Sequence, residues 1–180
     1  MRPQARVLST KTVYDGRLVR LKVDHVTEPG GIVADREVVC HPVSVVVLPH
    51  LDNGRILLVR QFRYAAGKSL WELVAGGLES NETPLEAARR ELREETGYEA
   101  RTVRPLLHFY PTPGFVSERM HLMEARGLTR SKASPEADER IRIGRFTREQ
   151  LLAMLRSRRI EDAKTLVGLL WLFSSSRLKI

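Results

Sequence analysis

The chain carries a single cysteine, Cys40, so it can close no disulfide on itself, which points to a reducing compartment. Long apolar runs are missing too. "SVVVL" and "TLVGLLWLF" fall well short of the ~20 residues that a membrane-spanning helix needs. The opening "MRPQARVLSTKTVYDGRLVR" has no apolar stretch of signal-peptide length. These absences together lead us to expect a soluble, cytoplasmic protein with no membrane partner. Acidic residues are scarce relative to basic ones, 22 against 30, for a formal net charge of +8. That balance suits a polyanion or a phosphorylated small molecule. Yet the arginines of "RSKASPEADERIRIGRFTREQ" and "RSRR" are not interleaved with aromatics, which disfavours nucleic acid and fits a solvated basic surface.

What is present divides into two parts. A chain of 180 residues can bury one good core and carry a small appendage. Residues 11–40 read as antiparallel strands with turns at Asp15-Gly16 and in "EPGG", but they hold few apolar positions. This segment is expected to borrow core from elsewhere, a partner subunit being one source. We therefore expect an N-terminal β subdomain over 1–41 that serves dimerisation, and a main domain over 42–180. In "HPVSVVVLPHLDNGRILLVRQFRY", two apolar runs flank Asp52-Asn53-Gly54 and predict a hairpin. Strand patterns follow in "RTVRPLLHFYPTPGF", "ERMHLMEARGL" and "ERIRIGRF", and helical ones in "TREQLLAMLRSRR" and "EDAKTLVGLLWLFSS". Strands and helices alternate irregularly, which predicts an α/β fold with a mixed sheet covered by helices.

The most informative stretch is "AGGLESNETPLEAARRELREETGY". Thr83 with Glu86 forms a capping box, Pro84 suits the first helical position, and Gly97 suits the C-terminal stop. At about 100° per residue, Leu85, Ala88 and Leu92 share the predicted buried stripe. Glu91, Glu94 and Glu95 share the neighbouring one, and Arg90 can pair with Glu94 four residues on. Three carboxylates on one stripe raise one another's pKa unless a cation is bound, and an all-oxygen set favours Mg²⁺ or Mn²⁺ over zinc. The competing reading is an exposed acidic face neutralised by Arg89, Arg90 and Arg93.

Spacing separates the two. Gly76, Glu82 and the run Arg90-Glu91-Leu92-Arg93-Glu94-Glu95-Thr96-Gly97-Tyr98 resemble the Nudix box, G-x5-E-x7-R-E-U-x-E-E-x-G-U with U apolar, at every fixed position. Outside the box, "HPVSVVVLP", "LLVRQFRY", "WELVAGGLE", "YPTPGF" and "EDAKTLVGLLWL" resemble the ADP-ribose pyrophosphatase branch of that family. Val74 stands where many relatives have proline.

The resemblance implies an α/β/α sandwich and metal-dependent hydrolysis of a nucleoside diphosphate linked to another group. ADP-ribose is the expected substrate. GDP-mannose, another nucleotide sugar or a dinucleotide is the alternative, and a non-catalytic nucleotide-binding module the more distant one. Carried over residue by residue, the resemblance makes Glu91 and Glu95 metal ligands, with Glu94 direct or acting through water. The Ala75 carbonyl is a further ligand, Arg90 orients the glutamates, and Glu82 braces the loop. Arg63 in "RQFR" is the expected phosphate clamp, because guanidinium matches phosphate oxygens, the alternative being an ion pair with a nearby surface carboxylate. Pro113, Gly114 and Phe115 are expected to shape a sugar pocket, the alternative being a plain turn with Phe115 in the core. Glu139 is the expected general base and an additional metal contact, with Glu136 and Asp138 as alternatives. His108, His121 and Cys40 read as structural. Relatives exchange their N-terminal segment between subunits, which implies a homodimer.

Overall fold

Residues alternating along a single strand feed two separate cores. In the computed structural model, which describes residues 5–131 and 140–175, every residue of the strand Ser44–Pro49 is buried. Val45 and Val47 join Ala87, Ala88 and Leu92 in one core, whereas Val46 and Leu48 join Leu151, Met154 and Leu169 in the other. A strand buried on both faces belongs in the middle of a layered α/β fold.

The order along the chain is β1 (Arg6–Asp15), β2 (Arg20–Thr27), β3 (Val33–Cys40), β4 (Ser44–Pro49), β5 (Ile56–Arg63), β6 (Lys68–Glu72) and β7 (Val74–Gly77). Then come α1 (Pro84–Thr96), β8 (Tyr98–Phe109), β9 (Met120–Arg130), β10 (Arg142–Phe146), α2 (Arg148–Arg156) and α3 (Ala163–Ser175). A four-stranded sheet runs β7-β4-β9-β8, with β4 parallel to β9 and the other pairs antiparallel. A three-stranded antiparallel sheet runs β10-β5-β6. Helix α1 closes the first core and α2 with α3 the second, so sheet lies between helices on either side. This is the expected α/β/α arrangement.

The expected hairpin between β4 and β5 needs correction. Its turn forms, with Gly54 at φ 76° and its N–H donating to the Leu51 carbonyl at 2.9 Å. The strands then part into different sheets after one bridge, His50 to Ile56. Both edges of β4 are already taken by β7 and β9, so β5 pairs with β6 and β10 instead.

The chain divides into two compact units, Met1–Val43 with Tyr110–Arg119, and Ser44–Phe109 with Met120–Ile180. The first holds the sheet β1-β2-β3, and β1 is exposed along its whole length. Among the described residues of this sheet, Val26 is the one buried hydrophobic side chain. The "TPGF" segment belongs to this unit. The Val39 N–H donates to the Phe115 carbonyl at 2.8 Å, and the Ser117 N–H donates to the Val39 carbonyl at 3.0 Å.

Candidate active site

Helix α1 begins as its residues dictate. The Thr83 hydroxyl accepts from the Glu86 N–H at 3.3 Å, and the Glu86 carboxylate accepts from the Thr83 N–H at 2.8 Å. Gly97 ends the helix at φ 65°. The buried stripe differs from expectation at one end. Leu85, in the first turn, is 39% exposed, and burial starts only at Ala87 and Ala88 before continuing through Leu92, Glu95 and Thr96. Small side chains at 87 and 88 let the helix lie close to the sheet.

A cation does sit among the glutamates, and it is Arg90. Its Nε and Nη2 both donate to Glu82 at 2.9 Å, and Nη1 donates to Glu91 at 2.7 Å and to Glu94 at 3.1 Å. Nη2 also donates to the Gly77 carbonyl at 2.9 Å, tying the helix to the loop after β7. The hydrogen bonds from Arg90 hold the Glu82 carboxyl below its ordinary value, and donating to the Glu82, Glu91 and Glu94 carboxylates pushes Arg90 upward. Glu82 in turn accepts from the Glu79 N–H at 2.9 Å, so it braces the loop.

Glu91 reaches back over Gly76. A Cβ at residue 76 would lie 1.9 Å from Glu91 Oε1, so only glycine leaves room for that carboxylate. Ala75 is the preceding residue, opposite Val46 in the ladder of β7 with β4. Glu95 is 5% exposed, and its charge is among those that raise the Arg63 pKa. Among the described residues, no three His, Cys, Asp or Glu side chains already surround a point where an ion could sit. Glu91 and Glu94 turn toward Arg90 instead.

Arg63 does pair with a carboxylate, but with a buried one and not one at the surface. Its Nε and Nη2 donate to the two oxygens of Glu72 at 2.9 and 2.8 Å, and Glu72 is 1% exposed. Lys164 donates to the same carboxylate and, at 2.9 Å, to Asp162. Burial pushes the Glu72 carboxyl up, but Arg63 and Lys164 outweigh it and hold it below its ordinary value. Asp162 caps α3 by accepting from the Thr165 N–H at 3.0 Å, and the buried Thr165 hydroxyl accepts from the Leu73 N–H at 2.8 Å. Thus α3 grips the residues that lead into Ala75 and Gly76. The capping signal Asp162-x-x-Thr165 was readable in the sequence, but its connection to Glu72 was not.

Pro113, Gly114 and Phe115 lie in the other compact unit, and Phe115 is 57% exposed, so the reading of Phe115 as core is excluded. Glu139, Glu136 and Asp138 lie outside the described residues. His108 and His121 face each other across β8 and β9 with ring centroids 6.0 Å apart. Cys40 ends β3 as a free thiol.

The NUDIX domain family model matches residues 41–166. The chain belongs to the NUDIX family. Its Nudix box is therefore the arrangement just described, with β7 and the loop presenting Gly76 and α1 presenting the glutamates. A protein named methanol dehydrogenase activator from Bacillus methanolicus is 36% identical over 178 residues, covering 98% of this chain and 96% of its own. A protein named ADP-ribose pyrophosphatase from Bacillus subtilis (strain 168) is 35% identical over 171 residues, covering 94% and 92%. A crystal structure described as an ADP compounds hydrolase matches with a TM-score of 0.83 at 21% identity, covering 97% of both chains. That last likeness is one of fold.

Proposed function

We propose that this Nudix protein hydrolyses the pyrophosphate bond of ADP-ribose, releasing AMP and ribose 5-phosphate. The observation that carries the reading is Glu91 seated over Gly76 and held by Arg90, within a box complete at every fixed position. Its collinearity with a protein named ADP-ribose pyrophosphatase supports the choice of substrate.

The donor set fits a hard dication, since it consists of carboxylate and carbonyl oxygens and includes the buried Glu95. Glu91, Glu94, Glu95 and the Ala75 carbonyl would hold Mg²⁺, with Mn²⁺ able to substitute, and Glu139 adds a contact. A dication held there would supply charge to offset the pyrophosphate, polarise the attacked phosphorus and lower the pKa of water. The chain's own groups do the rest. Arg90 keeps Glu91 and Glu94 aimed at one region while Glu82 fixes Arg90. Arg63, held in plane by Glu72, presents a guanidinium to the substrate phosphates. Glu139 takes the proton of the attacking water, whose oxygen joins phosphorus as the bridging P–O bond breaks. Pro113, Gly114 and Phe115 shape the sugar pocket.

The protein acts as a cytoplasmic homodimer joined through residues 1–41. Exposed Val7, Leu8 and Val13 on a strand of a sheet with little core of its own, and exposed Leu18 in the turn that follows, support the dimer. No described helix is long and apolar enough to cross a membrane.

Purified protein is to be incubated with ADP-ribose and Mg²⁺, then with Mn²⁺, and the products identified by mass. AMP and ribose 5-phosphate are expected. Intact ADP-ribose under both conditions refutes the reading, and cleavage of GDP-mannose or a dinucleotide in its place reassigns the substrate.

A further inference from the structure

The outer end of the sheet β10-β5-β6 carries a second concentration of charge. Along β5, Ile56 and Leu58 enter the core built with α2 and α3, while Leu57 and Val59 enter the core built with α1. Arg60 and Phe62 continue the first face, and Gln61 and Arg63 continue the second. Arg60 and Phe62 therefore lie on the side of the sheet opposite Arg63 and the glutamates of α1.

On that face the register sets Arg142 directly opposite Arg60, Trp71 opposite Arg60 on the other edge, and Ser69 opposite Phe62. Cross-strand partners stand about 4.5–5.5 Å apart at Cα, and like charges there are unfavourable. The Arg60 guanidinium lies 6.0 Å over the Trp71 ring. Arg140 joins them around a cavity of about 330 Å³ lined by Arg60, Phe62, Ser69, Arg140 and Arg142. Among the described residues, none of these three arginines pairs with a carboxylate. Phe62 is 57% exposed at the cavity.

We infer that this cavity binds an organic phosphate bearing a flat ring, a nucleoside monophosphate being the type. Three guanidiniums around one cavity, none of them paired with a carboxylate among the described residues, suit a single phosphate group, which relieves the repulsion between Arg60 and Arg142. Phe62 offers its ring to the base and Ser69 its hydroxyl to the sugar. The volume falls within the range of small-molecule sites. None of the Nudix-box residues lines the cavity, and the inference does not depend on ADP-ribose being the substrate.

The test is the thermal midpoint of the full chain at constant ionic strength in chloride, inorganic phosphate and AMP, with EDTA present. Both phosphates are expected to raise the midpoint, AMP more than inorganic phosphate. Arg60→Gln/Arg142→Gln should lose both shifts, start from an unliganded midpoint no lower than wild type, and keep its hydrolytic turnover. Phe62→Ala should keep the phosphate shift and lose the extra gain from AMP. Equal shifts in wild type and the double variant overturn the site, and equal shifts from phosphate and AMP overturn the nucleotide assignment. Should the double variant fail to fold, wild type labelled at arginine is titrated with AMP by NMR. Unmoved Arg60 and Arg142 Nε–H signals then overturn the site.

Discussion

The Oε1 atom of Glu91 lies 1.9 Å from the point where a Cβ on Gly76 would stand. The two residues come from different elements, and one occupies the space that the other lacks. Gly76→Ala is therefore expected to expel the Glu91 carboxylate. A Glu side chain swings away at small cost, so the fold should survive while turnover falls at least about 10- to 100-fold, the range for losing an orienting contact at a metal site. Circular dichroism together with turnover checks this, and full activity would contradict it.

Glu95→Gln keeps the size of a buried side chain and removes its charge. Turnover is expected to fall more than about 100-fold, since even outer contacts of metal sites cost 10- to 100-fold. The Mg²⁺ concentration for half-maximal rate should rise in parallel. Titration of rate against Mg²⁺ measures both.

Arg90 holds Glu82 below its ordinary carboxylate pKa. A depressed carboxyl contributes stability above its unfolded pKa and loses it as pH falls through the folded value. Wild type should therefore exceed Arg90→Gln in stability at neutral pH, and the gap should close below about pH 4, the ordinary carboxylate range. Urea unfolding at several pH values reads this out.

Glu72 joins Arg63, Lys164 and, through Leu73, Thr165 in one network. Removing a buried charge that holds two cations costs about 3–5 kcal/mol, and the partial exposure of Arg63 reduces this to about 2–3 kcal/mol for Glu72→Gln. KM should rise as well, because Arg63 loses the plane in which it is held. Denaturant midpoints and initial rates test both parts.

His50 lies among Arg126, Glu124, Arg148 and Arg104. Burial, then the nearby arginines, hold its imidazole below the ordinary 6.5, with Glu124 acting in the opposite sense. The unfolded chain then takes up the proton first, so stability is full above about pH 6.5 and is lost as pH falls below it. The thermal midpoint of wild type should decline more steeply between about pH 7 and 5 than that of His50→Asn.

Local chemistry made much of this legible in advance. Thr83, Pro84, Glu86 and Gly97 mark the limits of α1, because caps act over three or four residues. The turn at Gly54 was readable for the same reason. The partners of β4 and β5 were not, since a turn says where a chain reverses and not which ladder edge is still open.

The order of residues alone determined that Glu91, Glu94 and Glu95 share a stripe of one helix, and the resemblance to the Nudix box implied that the Ala75 carbonyl joins them. Helix periodicity and family spacing are properties of the linear chain. Tertiary structure alone decided that Arg90 ties α1 to the Gly77 carbonyl, that Arg63 faces a buried Glu72, and that Arg60 meets Arg142. Each of these pairs residues through strand register or packing, and such proximities exist only after distant segments have chosen their neighbours.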